Sequence, residues 1–236
     1  MDNASTPSSP TADLQSGQVL NRFSGNAYSN PFLVRFFAHF FSILFHPLFI
    51  SCYVLYFLIF IHPLAFAGME DRKKLFLMIS VFFTSAFLPS FATFLMWRLR
   101  LGVQSLQLRT QKERIIPYVA AMIFYFWVWR VFNNLPDIPA ASIHFLLGAF
   151  VSVCAAFFCN IYFKISMHAT AVGGLAMFFL LFSYADGYSS GLYLSLAFLI
   201  TGIVCTSRLI VAGHSAAEIY FGLFIGALVQ WIAWQF

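Results

Sequence analysis

The chain has 236 residues, 61% hydrophobic and 20% aromatic, with only 9% charged and a formal net charge of +5. A soluble globular domain carries about 25% charged residues, so that class is excluded. A membrane crossing takes roughly 20 apolar residues, which leaves room for several spans, and on such a chain a basic balance concerns lipid headgroups; no stripe of Lys and Arg interleaved with aromatics suggests a nucleic acid partner.

In chain order, residues 1–30 are rich in Ser, Asn, Pro and Thr and read as a disordered tail. No basic start followed by an apolar stretch marks a cleaved signal peptide there. The remainder, 31–236, reads as one all-α domain, a polytopic transmembrane helix bundle of about six to seven spans. Residues 31–45 are apolar but interrupted by Arg35 and His39, as expected of an interfacial helix or of an extension of the first span. The spans themselves are expected at 46–69, 75–97, 115–132, 140–163, 169–185, 187–206 and 219–236, the last starting as early as His214. Arg130 lies close enough to the end of the third to snorkel to the headgroups.

Each span carries the chain to the opposite face. The tail and the junctions 98–114, 164–168 and 207–218 therefore share one face, while 70–74, 133–139 and 186 share the other. Nine cations fall on the first face and four on the second. Five of those nine sit in the polar clusters, so the excess belongs as much to a site as to topology.

Ionisable groups at membrane spans are costly and by default mark function. One cluster is Lys164-Ile165-Ser166-Met167-His168, at the junction of the fourth and fifth spans, where a polar turn with a capping Ser is an equally good reading. The other runs from Ser207-Arg208 to His214 and Glu218, at the junction of the sixth and seventh. His214 and Glu218 are four apart, which puts them on one helical face, with the carboxylate able to take the Nδ1 proton and leave Nε2 free. The four cysteines lie in apolar runs at spacings that fit no zinc or redox motif and read as packing residues. His39, His46, His62 and His144 stand isolated in aromatic surroundings and read as interfacial or packing residues. Glu218 is the only carboxylate in these two clusters, so no metal or other cofactor is expected.

Ser-Arg, five residues, His, three residues and an acid resembles the third signature of the type 2 phosphatidic acid phosphatase superfamily, which includes lipid phosphate phosphatases and vanadium haloperoxidases. Ile165-Ser166-Met167-His168 resembles the second signature, Pro-Ser-Gly-His, keeping Ser166 and His168. The nearest counterpart of the first, Lys, six residues, Arg-Pro, is the stretch from Arg109 to Pro117, which supplies Lys112 and Arg114 in a different spacing. The resemblance covers roughly residues 109–218.

It implies a metal-independent hydrolase of phosphoric monoesters or diphosphates, with a multi-pass membrane location and its site at one membrane face. His214 would be the nucleophile, Glu218 its orienting acid and His168 the general acid for the leaving group. Arg208 is the first candidate to clamp phosphoryl oxygens, with Lys112, Arg114 and Lys164 as further cations and Ser166 and Ser207 as hydrogen-bond donors. The implied partners are membrane lipids and a lipid phosphate substrate. Two other activities fit the same residues: a family member that only binds phosphorylated lipids, and a proton-coupled transporter. A transporter would place such groups near the bilayer midplane, whereas these fall at span ends.

Overall fold

The computed structural model describes residues 31–101, 111–185, 191–211 and 214–236, without the side chains of 111 and 112. The tail expected over 1–30 lies outside the described residues. Those residues are almost wholly helical: α1 (Phe32–Leu44), α2 (Pro47–Tyr56), α3 (Asp71–Val81), α4 (Leu88–Arg98), α5 (Gln111–Asn134), α6 (Ala140–Tyr162), α7 (Met167–Ala185), α8 (Gly191–Ile210) and α9 (Ala216–Ala233). Six helices are long and apolar enough to cross a membrane: Asp71–Arg98, which runs through α3 and α4, and then α5 to α9. Counting the pair Phe32–Leu44 and Pro47–Ile61, bent by 61°, as one more span gives seven. The chain is an all-α polytopic bundle with the character of an integral membrane protein.

Proline chemistry sets several boundaries. Pro47 occupies the first turn of α2, where its missing N–H is no loss, and the His46 side chain caps the helix by accepting the Leu48 amide. A π-helical turn, Phe57–Ile61, continues α2 and stops at His62, which is extended ahead of Pro63. The first span is thus shorter than the expected 46–69, because a helix does not run through that residue pair. A second π-turn, Phe82–Phe87, joins α3 to α4 and ends with the Leu88 amide bonded to Phe83 O, just before Pro89. The wider turn accommodates a proline ring that would clash with the carbonyl four residues back in an unbroken α-helix.

α7 carries the core. Its buried face includes Ala169, Thr170, Val172, Gly173, Gly174 and Phe178. Gly222 and Gly226 of α9, four apart, let that helix approach α7 at backbone distance: a Cβ on Gly226 would stand 1.9 Å from Thr170 O, and one on Gly173 would stand 2.3 Å from Leu223 O. Thr201 Oγ1 of α8 donates to Val172 O of α7 at 3.1 Å. At the opposite end from the polar junctions, Lys73 Nζ in the first turn of α3 lies 3.5 Å from Asp137 Oδ2 in the loop after α5, which joins the segments 70–74 and 133–139 expected to share a face. Close α7–α9 packing fixes the spatial relation of the two polar junctions, since each lies at the start of one of these helices.

Candidate functional site

The approach of α7 to α9 is completed at their N-terminal ends by the Ser166 amide, which donates to Glu218 O at 3.2 Å. Ser166 precedes α7, and its Oγ accepts the Ala169 amide at 3.4 Å, the geometry of a helix N-cap. Ser215 does the same for α9, accepting the Glu218 amide at 3.3 Å. Ser215 and Glu218 thus have the spacing of a capping box, in which the acid would reach back to the cap residue's own amide. Here its carboxylate meets His214 instead: Nδ1 and Oε2 are 2.7 Å apart, with the side chains 10% and 26% exposed. The expected pair forms, although α9 begins at Ala216 and His214 stands before its cap, so the contact arises across a helix start and not along a helical face.

A carboxylate on Nδ1 accepts that nitrogen's N–H hydrogen bond, which keeps the proton on Nδ1 and leaves the Nε2 lone pair available. Burial, the largest effect, pushes the His214 imidazole below its ordinary value; the Glu218 hydrogen bond opposes this, and the cations Lys164 and Arg208 add to it. The ring is therefore neutral near pH 7.

His214 lines a cavity of about 450 Å³ together with Arg208, His168, Arg114 and His46. Pro89, Ser90 and Thr93 of α4 and Pro117, Tyr118 and Ala121 of α5 also line it. Four of the residues singled out from sequence thus surround one space, contributed by the start of α5, the start of α7, the end of α8 and the junction before α9. Arg208 lines the cavity, and its Nε is buried with no hydrogen-bond partner among the described residues. An ungratified guanidinium N–H in this position is a donor for an anionic oxygen.

The other expected residues fall elsewhere. Lys164 Nζ lies 3.8 Å from the same Glu218 Oε2 that holds His214, so it acts on the His214–Glu218 pair. Ser166 and Ser207 are 0% and 4% exposed and do not line the cavity. The Lys112 side chain lies outside the described residues. His168 Nε2 is 3.0 Å from Ser42 O of α1. A carbonyl only accepts, so the Nε2 proton is committed there, and donation toward the cavity has to come from Nδ1 of the imidazolium form.

His46, read from sequence as a packing residue, lines the cavity and meets the His168 ring edge-on, with centroids 5.2 Å apart. Its one local signal is its place directly before Pro47. Nothing in the linear order announces its approach to His168. Among the described residues, no three His, Cys, Asp or Glu side chains converge as a metal site. Comparison with protein-family models, with curated proteins and with solved structures finds no match for this chain.

Proposed function

We propose that the protein is a membrane phosphatase that removes phosphate from a lipid phosphate or diphosphate through a phosphohistidine, without a metal. The observation that carries this reading is the His214–Glu218 pair at 2.7 Å beside Arg208, whose buried Nε has no partner among the described residues. In the first step, His214 Nε2 attacks phosphorus, a P–N bond forms and the bond to the lipid oxygen breaks. The leaving oxygen takes a proton from His168 as imidazolium or from water, and Glu218 balances the positive charge on the His214 ring. Water then attacks the phosphoramidate, releasing inorganic phosphate and restoring the imidazole. Arg208 and Arg114 offset charge on the phosphoryl oxygens in both steps.

A lipid substrate is favoured by location and by shape. The cavity lies at the helix ends, where headgroups sit, and it shares Pro47, Leu48, Ala121 and Met167 with a second, mostly apolar cavity of about 70 Å³ between α2, α5, α6, α7 and α9. A ligand with a charged head and an apolar chain matches that sequence of linings.

The test is phosphate release by the full chain, purified in detergent, across a panel of lipid phosphates with EDTA present. Labelled substrate quenched in base should leave acid-labile, alkali-stable phosphate on the protein, and His214→Ala should abolish that label. Hydrolysis that never passes through the label and survives His214→Ala refutes the mechanism. A second reading, a protein that binds phosphorylated lipids without cleaving them, is favoured by one contact: the His168 Nε2 proton is held by Ser42 O. Under that reading the panel binds and no phosphate is released.

A further inference from the structure

The bend between α1 and α2 brings His46 to the same cavity as Arg208 and His214, and its tautomer follows from its contacts. The Leu48 amide points at His46 Nδ1 at 3.4 Å, so Nδ1 is the acceptor and, in the neutral ring, the proton resides on Nε2. No hydrogen bond to His46 Nε2 is formed by the described residues, and this nitrogen lies on the ring edge away from the helix cap. His168, its ring neighbour, is in the opposite state, with its Nε2 proton committed to Ser42 O. Of the two histidines on this side of the cavity, His46 is therefore the one with a proton to offer.

From this geometry we infer that His46 is a binding residue of the site: its neutral Nε2–H donates a hydrogen bond to an oxygen of the bound phosphoryl group, opposite the guanidinium of Arg208. This rests on the reading of the cavity as a phosphoryl site and extends it to a residue outside the resemblance. The phosphoryl group then meets donors from both ends of the chain. α2 supplies a neutral donor and α8 a cationic one. A neutral imidazole that donates adds no positive charge beside Arg208, Arg114 and His214, so it can approach the anion without repelling its neighbours.

Two substitutions separate this role from helix capping. In His46→Asn the amide oxygen takes the place of Nδ1 and keeps the cap, while the distal donor is lost. In His46→Gln the amide nitrogen falls near the place of Nε2, which keeps the donor and gives up the short cap. Binding of inorganic phosphate to the detergent-purified full chain is measured by calorimetry, with a short-chain diacylglycerol phosphate as a second arm and thermal unfolding alongside. A hydrogen bond to a charged group corresponds to about tenfold to hundredfold in affinity. His46→Asn should lose that factor for both ligands with its unfolding temperature unchanged, and His46→Gln should stay within about threefold of wild type.

If His46→Asn binds like wild type and His46→Gln does not, His46 is a cap only and the inference falls. A loss confined to the lipid arm also overturns it, because the contact would then lie off the phosphoryl group. Wild type that binds phosphate without hydrolysing any lipid phosphate removes the phosphatase reading and leaves His46 in place. Wild type with no affinity for either ligand overturns the inference, while the phosphatase reading stands or falls on release from the lipid panel.

Discussion

Replacing Glu218 by Gln keeps a hydrogen-bond acceptor beside His214 Nδ1 and removes the charge. The effect can be bounded from the geometry. At 2.7 Å and an effective dielectric of about 20, two full charges would interact by about 6 kcal/mol, which is a ceiling. The carboxylate is 26% exposed and its Oε2 also faces Lys164 Nζ at 3.8 Å, so the realised difference is smaller. Hydrogen bonds to charged groups contribute about 1.5–3 kcal/mol against about 1 for neutral ones, which leaves about 0.5–2 kcal/mol and a phosphorylation step about twofold to thirtyfold slower. Lipid binding should change far less, because Glu218 touches the nucleophile and not the anion.

The pH profile adds a sign that a purely structural effect would not produce. If His214 attacks as the neutral ring, as proposed, the acid limb of kcat/KM reports loss of activity as that ring is protonated. Burial already holds the ring below its ordinary value, and Glu218 is the main group pulling it back up. With Gln in place the limb moves to lower pH while the plateau falls. The measurement is rapid-quench labelling with radioactive lipid phosphate over the acid range. A plateau equal to wild type, or a limb displaced toward higher pH, would refute the role given to Glu218.

Lys164→Met removes one of the cations that lower the His214 value and frees Glu218 Oε2 from a competitor, so the same acid limb should move to higher pH; no displacement would mean that Lys164 acts elsewhere. Arg208→Lys should reduce kcat/KM by about 10²- to 10³-fold, since a point charge does not reproduce two parallel donors, whereas Arg114→Lys should be milder if that residue acts only as distant charge; equal losses measured in the release assay would show that the clamp is misassigned. Gly226→Val should lower the unfolding temperature in detergent by several degrees, because its Cβ would overlap the Thr170 carbonyl and overpacking costs about 1–3 kcal/mol. Gly202→Ala, which meets nothing within 4 Å, is the matched control, and a Gly226 variant as stable as that control would contradict the close α7–α9 contact.

What was legible in the sequence follows from how far along the chain each interaction reaches. Bilayer thickness imposes a minimum apolar length, so the long spans stand out in composition; most ends differ from the expected ones by a few residues, and the first span falls well short because the His62-Pro63 pair stops its helix early. The His214–Glu218 contact was legible because it spans four residues, even though it forms across the Ser215 cap. Ser166 shows what local reading does not supply: its type fits a phosphoryl donor, and the structure adds that its oxygen caps the start of α7 and that the residue is buried.

His46 and Ser42 lie beyond local reading altogether. Ser42 O reaches His168 across 126 positions, and no periodicity or spacing encodes a contact of that kind. It depends on the bend at the α1–α2 junction and on the glycine-mediated approach of α9 to α7, which together bring the ends of separate helices around one cavity. Charge placement gives this convergence a physical reason. Arg208 and His214 sit where membrane helices end, and a buried guanidinium Nε there is costly to leave without an acceptor. On the phosphatase reading, an anion entering from the headgroup layer supplies that acceptor and brings the phosphorus to His214. On that reading, the same placement that spares the bundle interior from charge assembles the donors and the nucleophile at the one level where a lipid presents its phosphate.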